Sequence, residues 1–247
     1  MALADGAREV VGRLVDDFVE FDPRCEGFGP DGPLDWDGYG LSRKRAAERA
    51  GTSESVVCGR GTLGGSPTVL VAFEFRFLGG SVGTGTGARI VHAFDHARTH
   101  GLPVVSLVAT GGTRMQEGVL SLRQLQLIAR AAVLLRESGL PHVAVLRDPT
   151  TGGVWASLGA GADVVLALDG VQVGFAGRRV RRPEHADDPA YTARSQLATG
   201  HVDEVLDATE LPGRLTEWLT HLRGTPAAPV EVPRALGDVT PAAGGGG

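Results

Sequence analysis

The chain has 247 residues, 42% hydrophobic and 21% charged, with a formal net charge of −5. That is the composition of a soluble globular protein with one large domain or two small ones, and it gives no electrostatic reason to expect nucleic acid or an anionic membrane surface as a partner. Cys25 and Cys58 are the only cysteines and lack CxxC spacing, which excludes a disulfide framework and a four-cysteine zinc site; without a signal-like run or a membrane-length apolar stretch, the expected location is cytoplasmic.

In chain order, Val10, Val11, Leu14, Val15 and Phe18 recur at helical spacing and predict a short amphipathic helix over 7–19. The Gly/Pro-dense "CEGFGPDGPLDWDGYG" predicts a loop, and "SRKRAAERAG" a charged helix ending at Gly51. "SVVCGRGTLGGSPTVLVAFEFRFLGG" reads as two β-rich runs joined by a turn. Then the rhythm changes to helix ("GTGARIVHAFDHARTHG"), strand ("PVVSLVAT"), helix ("VLSLRQLQLIARAAVLLRESG") and strand ("PHVAVLRD"). A short helix ("GVWASLGAGA"), two short strands ("DVVLALDG", "VQVGFAG") and a helix around "ELPGRLTEWLTHLRG" follow. Continuous apolar strands alternating with helices predict α/β architecture with both sheet faces covered. The end, rich in Pro, Ala and Gly, reads as a flexible tail.

Two glycine pairs occupy the same kind of position. Gly111 and Gly112 follow one predicted strand, Gly152 and Gly153 the next, each just ahead of a helix. Glycine admits positive φ and close approach of a ligand. N–H groups at a helix start point outward with the positive end of the dipole, so such a pair can hold an oxyanion. A tight turn without a ligand accounts for the same residues.

Ser81 in "GGSVG" satisfies G-x-S-x-G between a strand and a helix. An α/β-hydrolase elbow needs several preceding strands, however, and nothing singles out Asp148 or Asp163, with His185 or His201, to complete a triad. Gly83, Gly85 and Ala88 fit G-x-G-x-x-A, but the next strand ends "LVATGG" without the acid a dinucleotide ribose requires. His92, His96 and His100 share one helical face without a carboxylate or cysteine motif, so a solvated face is expected rather than a metal site. Arg178, Arg179, Arg181 and Arg182 in "GRRVRR" form either a solvated basic turn or a phosphate clamp.

Together, "GTLGGSPTVLVAFEFRFLGGSVGTGTGARIVHAFDHA", "ATGGTRMQEGVLSL", "DPTTGGVWASLGAGADVVLAL" and "VGFAGRRV", in this order, closely resemble the carboxyltransferase β subunit of bacterial acyl-CoA (acetyl-CoA) carboxylases. The likeness extends through "DWDGYGLSRKRAAERAGTSESVVCGRG" and "YTARSQLATGHVDEVL", about residues 35–210. The resemblance implies a single-domain α/β crotonase-like fold of repeated ββα units. It divides the chain into an N-terminal helix and loop over 1–34, a carboxyltransferase domain over 35–223 and a tail over 224–247.

The resemblance also implies roles. Gly111 and Gly112 inherit a backbone oxyanion hole, because moving a carboxyl group to the α-carbon of an acyl thioester develops charge on carbonyl oxygens and needs no side-chain nucleophile. Gly79, Gly80, Ser81, Gly152, Gly153, Trp155, Arg178 and Arg179 become substrate-binding positions. The thioester is an acyl-CoA or acyl-carrier substrate. Carboxybiotin is brought by a separate carrier, since no biotinyl-lysine motif exists and Lys44 is the sole lysine. The implied partners are an α-type carboxyltransferase subunit, a biotin carboxyl carrier protein and a biotin carboxylase, in a hetero-oligomer.

Departures from the family pattern accompany the matches. The four-cysteine zinc ribbon of typical β subunits is not among these residues. Trp155 stands where a small residue is usual and is expected to narrow the pocket or meet a partner. Arg178 replaces a proline, and the segment from Arg182 to Tyr191 is shorter than usual. These changes favour a specialised biosynthetic carboxylase, or a decarboxylase of malonyl thioesters, over a housekeeping acetyl-CoA enzyme; a non-catalytic scaffold is the alternative from another class.

Overall fold

The computed structural model describes residues 5–22, 28–177 and 188–223. The "VVCGRGTL" and "SPTVLVAF" runs form β2 (Val56–Leu63) and β3 (Ser66–Phe73), an antiparallel hairpin. Its two-residue turn uses Gly64 and Gly65, both at positive φ, as the twist of a tight hairpin requires. Beyond β3 the pairing turns parallel: β4 (Val104–Thr110), β5 (His142–Thr151), β6 (Val164–Leu168) and β8 (Glu204–Leu206) follow side by side. The two-residue β7 (Val173–Gly174) pairs in parallel with the last residues of β5. All seven residues of β4 and all five of β6 are buried, as strands covered on both faces demand.

Helices α3 (Thr84–His100) and α4 (Val119–Glu137) cross over between parallel strands and pack on each other. Helix α2 is Tyr39–Ala50, ending at left-handed Gly51 as the sequence predicts. The last helix, α6, is Leu211–Arg223. Among the described residues no helix is long and apolar enough to cross a membrane.

Several expectations change. The helix read over 7–19 ends early: α1 is Ala7–Leu14, and Asp16–Glu20 becomes β1, paired with β2 at the sheet edge. Phe18 explains the change. It packs half-buried onto Gly59 of β2, where a Cβ would lie 2.5 Å from its ring, so this cross-strand contact outweighs the helical spacing. Ala7, Val10, Val11 and Leu14 of α1 join the common core. The short helix expected after Gly153 contains a five-residue π-helical turn, Trp155–Gly159. A further helix, α5 (Ala193–Ala198), lies ahead of β8.

Two buried basic side chains help to tie these layers. Arg147 of β5 donates to the Phe73 carbonyl (3.2 Å) and to the Asp5 carbonyl, while its Nε has no partner. Burial pulls its pKa below the usual arginine value, against the attraction of Glu74 and Asp5. His142, at the start of β5, faces Ser106 Oγ through Nε2 (2.9 Å) and meets Phe94 edge-on, with Nδ1 unpartnered. Burial brings its pKa down to about 4; Arg136 acts in the same direction and Asp163 against it.

Candidate active site

The site is built where β3, β4 and β5 run out at the same end of the sheet. The loop after β3 turns through Leu78, Gly79 and Gly80, all three at positive φ, a conformation strained for leucine and natural for glycine. A side chain is impossible at Gly80, where a Cβ would sit 2.1 Å from the Ala109 carbonyl oxygen. This loop is stitched to the one after β4. Gly111 N–H donates to Gly79 O (2.9 Å), Thr110 Oγ1 to Gly80 O (2.8 Å), Val82 N–H to Gly112 O (2.9 Å) and Arg114 N–H to Val82 O (2.9 Å). The loop after β5 comes up against the second: a Cβ on Gly152 would lie 3.1 Å from the Gly112 Cα. Gly79, Gly80, Ser81, Gly111, Gly112, Gly152 and Gly153 thus come together from three separate stretches of sequence.

Beneath the loops lies a charged cluster that the sequence reading passed over. Arg114 is 1% exposed. Its Nη2 donates to Glu54 Oε2 (2.9 Å) and to the Ser81 carbonyl (2.8 Å), and its Nη1 to Glu117 Oε1 (3.2 Å). Tyr39 donates its hydroxyl to Glu117 Oε1 (2.5 Å), and Thr86 donates to Glu54 Oε2 (2.8 Å). Glu117 also accepts from the Thr84 N–H (2.6 Å), which seats the start of α3.

Burial works against both charged forms here, and the partners outweigh it. Glu54, Tyr39 and Glu117 hold the Arg114 pKa above the usual arginine value. The Thr84 N–H, the Tyr39 hydroxyl and Arg114 hold the Glu117 carboxyl below the usual range. Desolvation of the Tyr39 phenol raises its pKa, so at neutral pH it is a donor to the carboxylate. One sequence signal was available: Arg114 and Glu117 stand three apart directly after the glycine pair. Glu54 gave none, because its pairing spans 60 residues.

The remaining candidates resolve as follows. Gly111 N–H donates to the Gly79 carbonyl (2.9 Å) and Gly112 N–H to Thr110 Oγ1 (3.0 Å). Trp155 is 3% exposed. Its indole fills the space over Gly159, where a Cβ would meet Cε3 at 2.5 Å. Ser81 Oγ accepts from Arg114 Nε (3.4 Å) and its carbonyl accepts from Ser55 Oγ (2.7 Å), so the residue serves the loop.

Asp163 binds Arg136 and the His142 N–H, and Asp148 accepts from Gln172 N–H. His96 stacks on His100 at 4.0 Å and meets Phe21 at a tilt, 4.4 Å between ring centroids. Among the described residues no group of three or more His, Cys, Asp or Glu could hold a metal ion. Arg178, Arg179, Arg181, Arg182 and His185 lie outside the described residues.

A hairpin feeding parallel strands, with glycine loops gathered at the strand ends, defines an α/β protein of the crotonase-like class. Solved structures agree. A Pseudomonas malonate decarboxylase hetero-tetramer subunit superposes with a TM-score of 0.68 at 27% identity, covering 90% of this chain and 84% of that one. The chain belongs to the carboxyl transferase domain family, whose profile matches residues 39–210. The β subunit of acetyl-coenzyme A carboxylase carboxyl transferase from Rubrobacter xylanophilus is 36% identical over 210 residues, 84% of this chain and 82% of the relative. The Salinispora tropica protein named as subunits beta/alpha of the same enzyme is 45% identical over 183 residues. The matched region spans about a third of that relative's length (32%) and 72% of this chain.

Proposed function

We propose that this chain is a carboxyltransferase β-type subunit that moves a carboxyl group from carboxybiotin to the α-carbon of an acyl-CoA or acyl-carrier thioester. The observation that carries the reading is the convergence of three glycine loops on the buried Arg114 cluster, in a chain of this family. No side chain stands between Gly112 and Gly152, and the backbone around them is fixed by hydrogen bonds before any charge develops. Carboxybiotin supplies the carboxyl group, delivered by a biotin carboxyl carrier protein that a biotin carboxylase charges.

Gly112 is the donor best suited to receive the oxyanion. Its present acceptor is a hydroxyl, and Thr110 Oγ1 keeps its own bond to Gly80 O when a substrate oxygen takes its place. Gly111 N–H would have to leave a carbonyl and stays with the scaffold. Gly79, Gly80, Gly152 and Gly153 shape the approach of the thioester, and Arg178 and Arg179 are assigned its phosphates. The acid–base groups of the reaction come from an α-type subunit, since Arg114, Glu54 and Glu117 are locked together beneath the loops.

The second reading is a β subunit of a biotin-independent malonyl-thioester decarboxylase, favoured by the likeness to the Pseudomonas malonate decarboxylase subunit. Reconstitution with an α-type subunit separates the two: labelled carboxyl transfer from carboxybiotin to acyl-CoA supports the first, and biotin-free CO2 release from a malonyl thioester the second. Neither activity in a well-formed complex leaves a scaffold role. Gly112→Val tests the oxyanion site. Turnover per folded molecule falls about 100- to 1000-fold, alongside a lower melting temperature because Gly112 sits at φ 109°, a backbone strained for valine; full activity in the folded variant would falsify the mechanism.

A further inference from the structure

Strand β1 lies at the edge of the sheet, and its register on β2 is interrupted between Asp16 and Val19. Phe21, just past the strand, donates its N–H to the Cys58 carbonyl (2.8 Å). Its ring sits in a seat made by two histidines of α3, 4.4 Å from His96 at a tilt and 5.6 Å from His92 edge-on. His96 stacks in turn on His100. An edge held by so few hydrogen bonds opens locally at small cost, so the aromatic seat decides whether this end of β1 stays closed.

The seat is built for neutral imidazoles. His96 Nε2 is buried and has no hydrogen-bond partner, so a proton taken up there makes a buried N–H without an acceptor. His100 donates its Nδ1–H to the His96 carbonyl (2.8 Å), which fixes the stacked ring. No carboxylate answers a charge on His96. On α3 it faces His92 and His100, while Asp95 is turned to Arg98 (3.4 Å). From β2 it faces Arg60, which forms no ion pair among the described residues. From the end of β1 it meets the Phe21 ring; Glu20 is paired with Arg8, and Asp22 follows, exposed. Burial first, then His100, His92 and Arg60, hold the His96 pKa below the ordinary histidine value.

We propose that His96 is an acid-released latch on the sheet edge: its protonation unstacks the histidines, expels Phe21 and frees residues 19–21 from β2 while the rest of the sheet stays folded. The latch stands apart from the carboxyltransferase reading and holds whichever reaction the glycine loops serve. In the opened segment His96 titrates near the unperturbed value of about 6.5. Because the closed form has the lower pKa, the latch is fully shut above about pH 6.5 and weakens as pH falls. At pH 5.5 the opening constant is about tenfold larger than at neutral pH.

The test is amide hydrogen exchange of the full chain, read by NMR at Phe21 as protection relative to the intrinsic rate, at pH 7.5 and 5.5. Imidazole resonances are titrated alongside. Wild type loses about tenfold in Phe21 protection between the two pH values. His96→Phe keeps a ring that cannot take a proton and holds its protection. Any loss common to wild type and His96→Phe belongs to His142, which both retain, and is subtracted. Phe21→Ala leaves the residue 21 amide open at both pH values. Equal losses in wild type and His96→Phe overturn the proposal. So does a closed, still pH-dependent edge in Phe21→Ala, or a His96 imidazole that titrates at or above the ordinary histidine value.

Discussion

Arg114 and Arg147 are both almost wholly buried, at 1% and 2% exposure, yet the protein holds them in opposite ways. Arg114 lies between two carboxylates and a phenol, and Arg43, 3.6 Å from Glu54 Oε1, offsets the second negative charge. Arg147 is satisfied by two backbone carbonyls, with one nitrogen unmatched. The first arrangement cannot lose one member without stranding a charge; the second can. An ion cluster under the glycine loops therefore fixes geometry in a way that a carbonyl-bound arginine at the N-terminal anchor does not, because each of its members penalises the absence of the others.

The largest effect expected from this contrast is at Arg114. Arg114→Met leaves Glu54 and Glu117 buried without their cation and costs about 3–5 kcal/mol, read from urea unfolding. Adding Glu54→Gln and Glu117→Gln recovers part of that loss. A cost under about 1 kcal/mol for the single change would break the comparison.

Tyr39→Phe is the next test. It removes a hydrogen bond to a charged acceptor, worth about 1.5–3 kcal/mol, and frees the Glu117 end of the cluster. A stability change within error would mean that Arg114 and the Thr84 N–H already suffice for Glu117. Arg147→Met is expected to be milder, about 1 kcal/mol, because similar apolar volume replaces a charge that no carboxylate contacts. If it matches Arg114→Met, the distant attraction of Glu74 and Asp5 matters more than the contacts imply.

His142 sharpens the contrast with a third solution, a buried base kept neutral. Its folded pKa of about 4 lies below the unfolded value of about 6.5, so the unfolded chain binds the extra proton first. The associated stability is complete above about pH 6.5 and is lost as pH falls towards 4. The advantage of wild type over His142→Gln should shrink by about 1 kcal/mol between pH 7.5 and 5.5. A constant difference across that range would show that His142 does not titrate there.

The sequence made the glycine pairs legible because they sit at strand ends, where a change of hydrophobic period marks the site to within a residue or two. It made α2, α3, α4 and the β2–β3 hairpin legible for the same reason. Local reading failed where a contact from afar decided the outcome. Phe18 continues a helical spacing but is claimed by Gly59 across the sheet edge, and Glu54 carries no local mark of its bond to Arg114. Trp155 gave no local sign that its indole packs over Gly159.

The neighbour order of the strands in the sheet, β1-β2-β3-β4-β5-β6-β8, is the order in which a ribosome makes them. Each strand docks beside one already in place, and none waits for a later segment to be inserted between finished neighbours. Domains form from the N-terminus during synthesis at about 5–20 residues per second, so this sheet can grow vectorially at one advancing border. That border is the liability of the scheme, since until β6 and β8 emerge, β5 offers unpaired backbone to any other nascent chain.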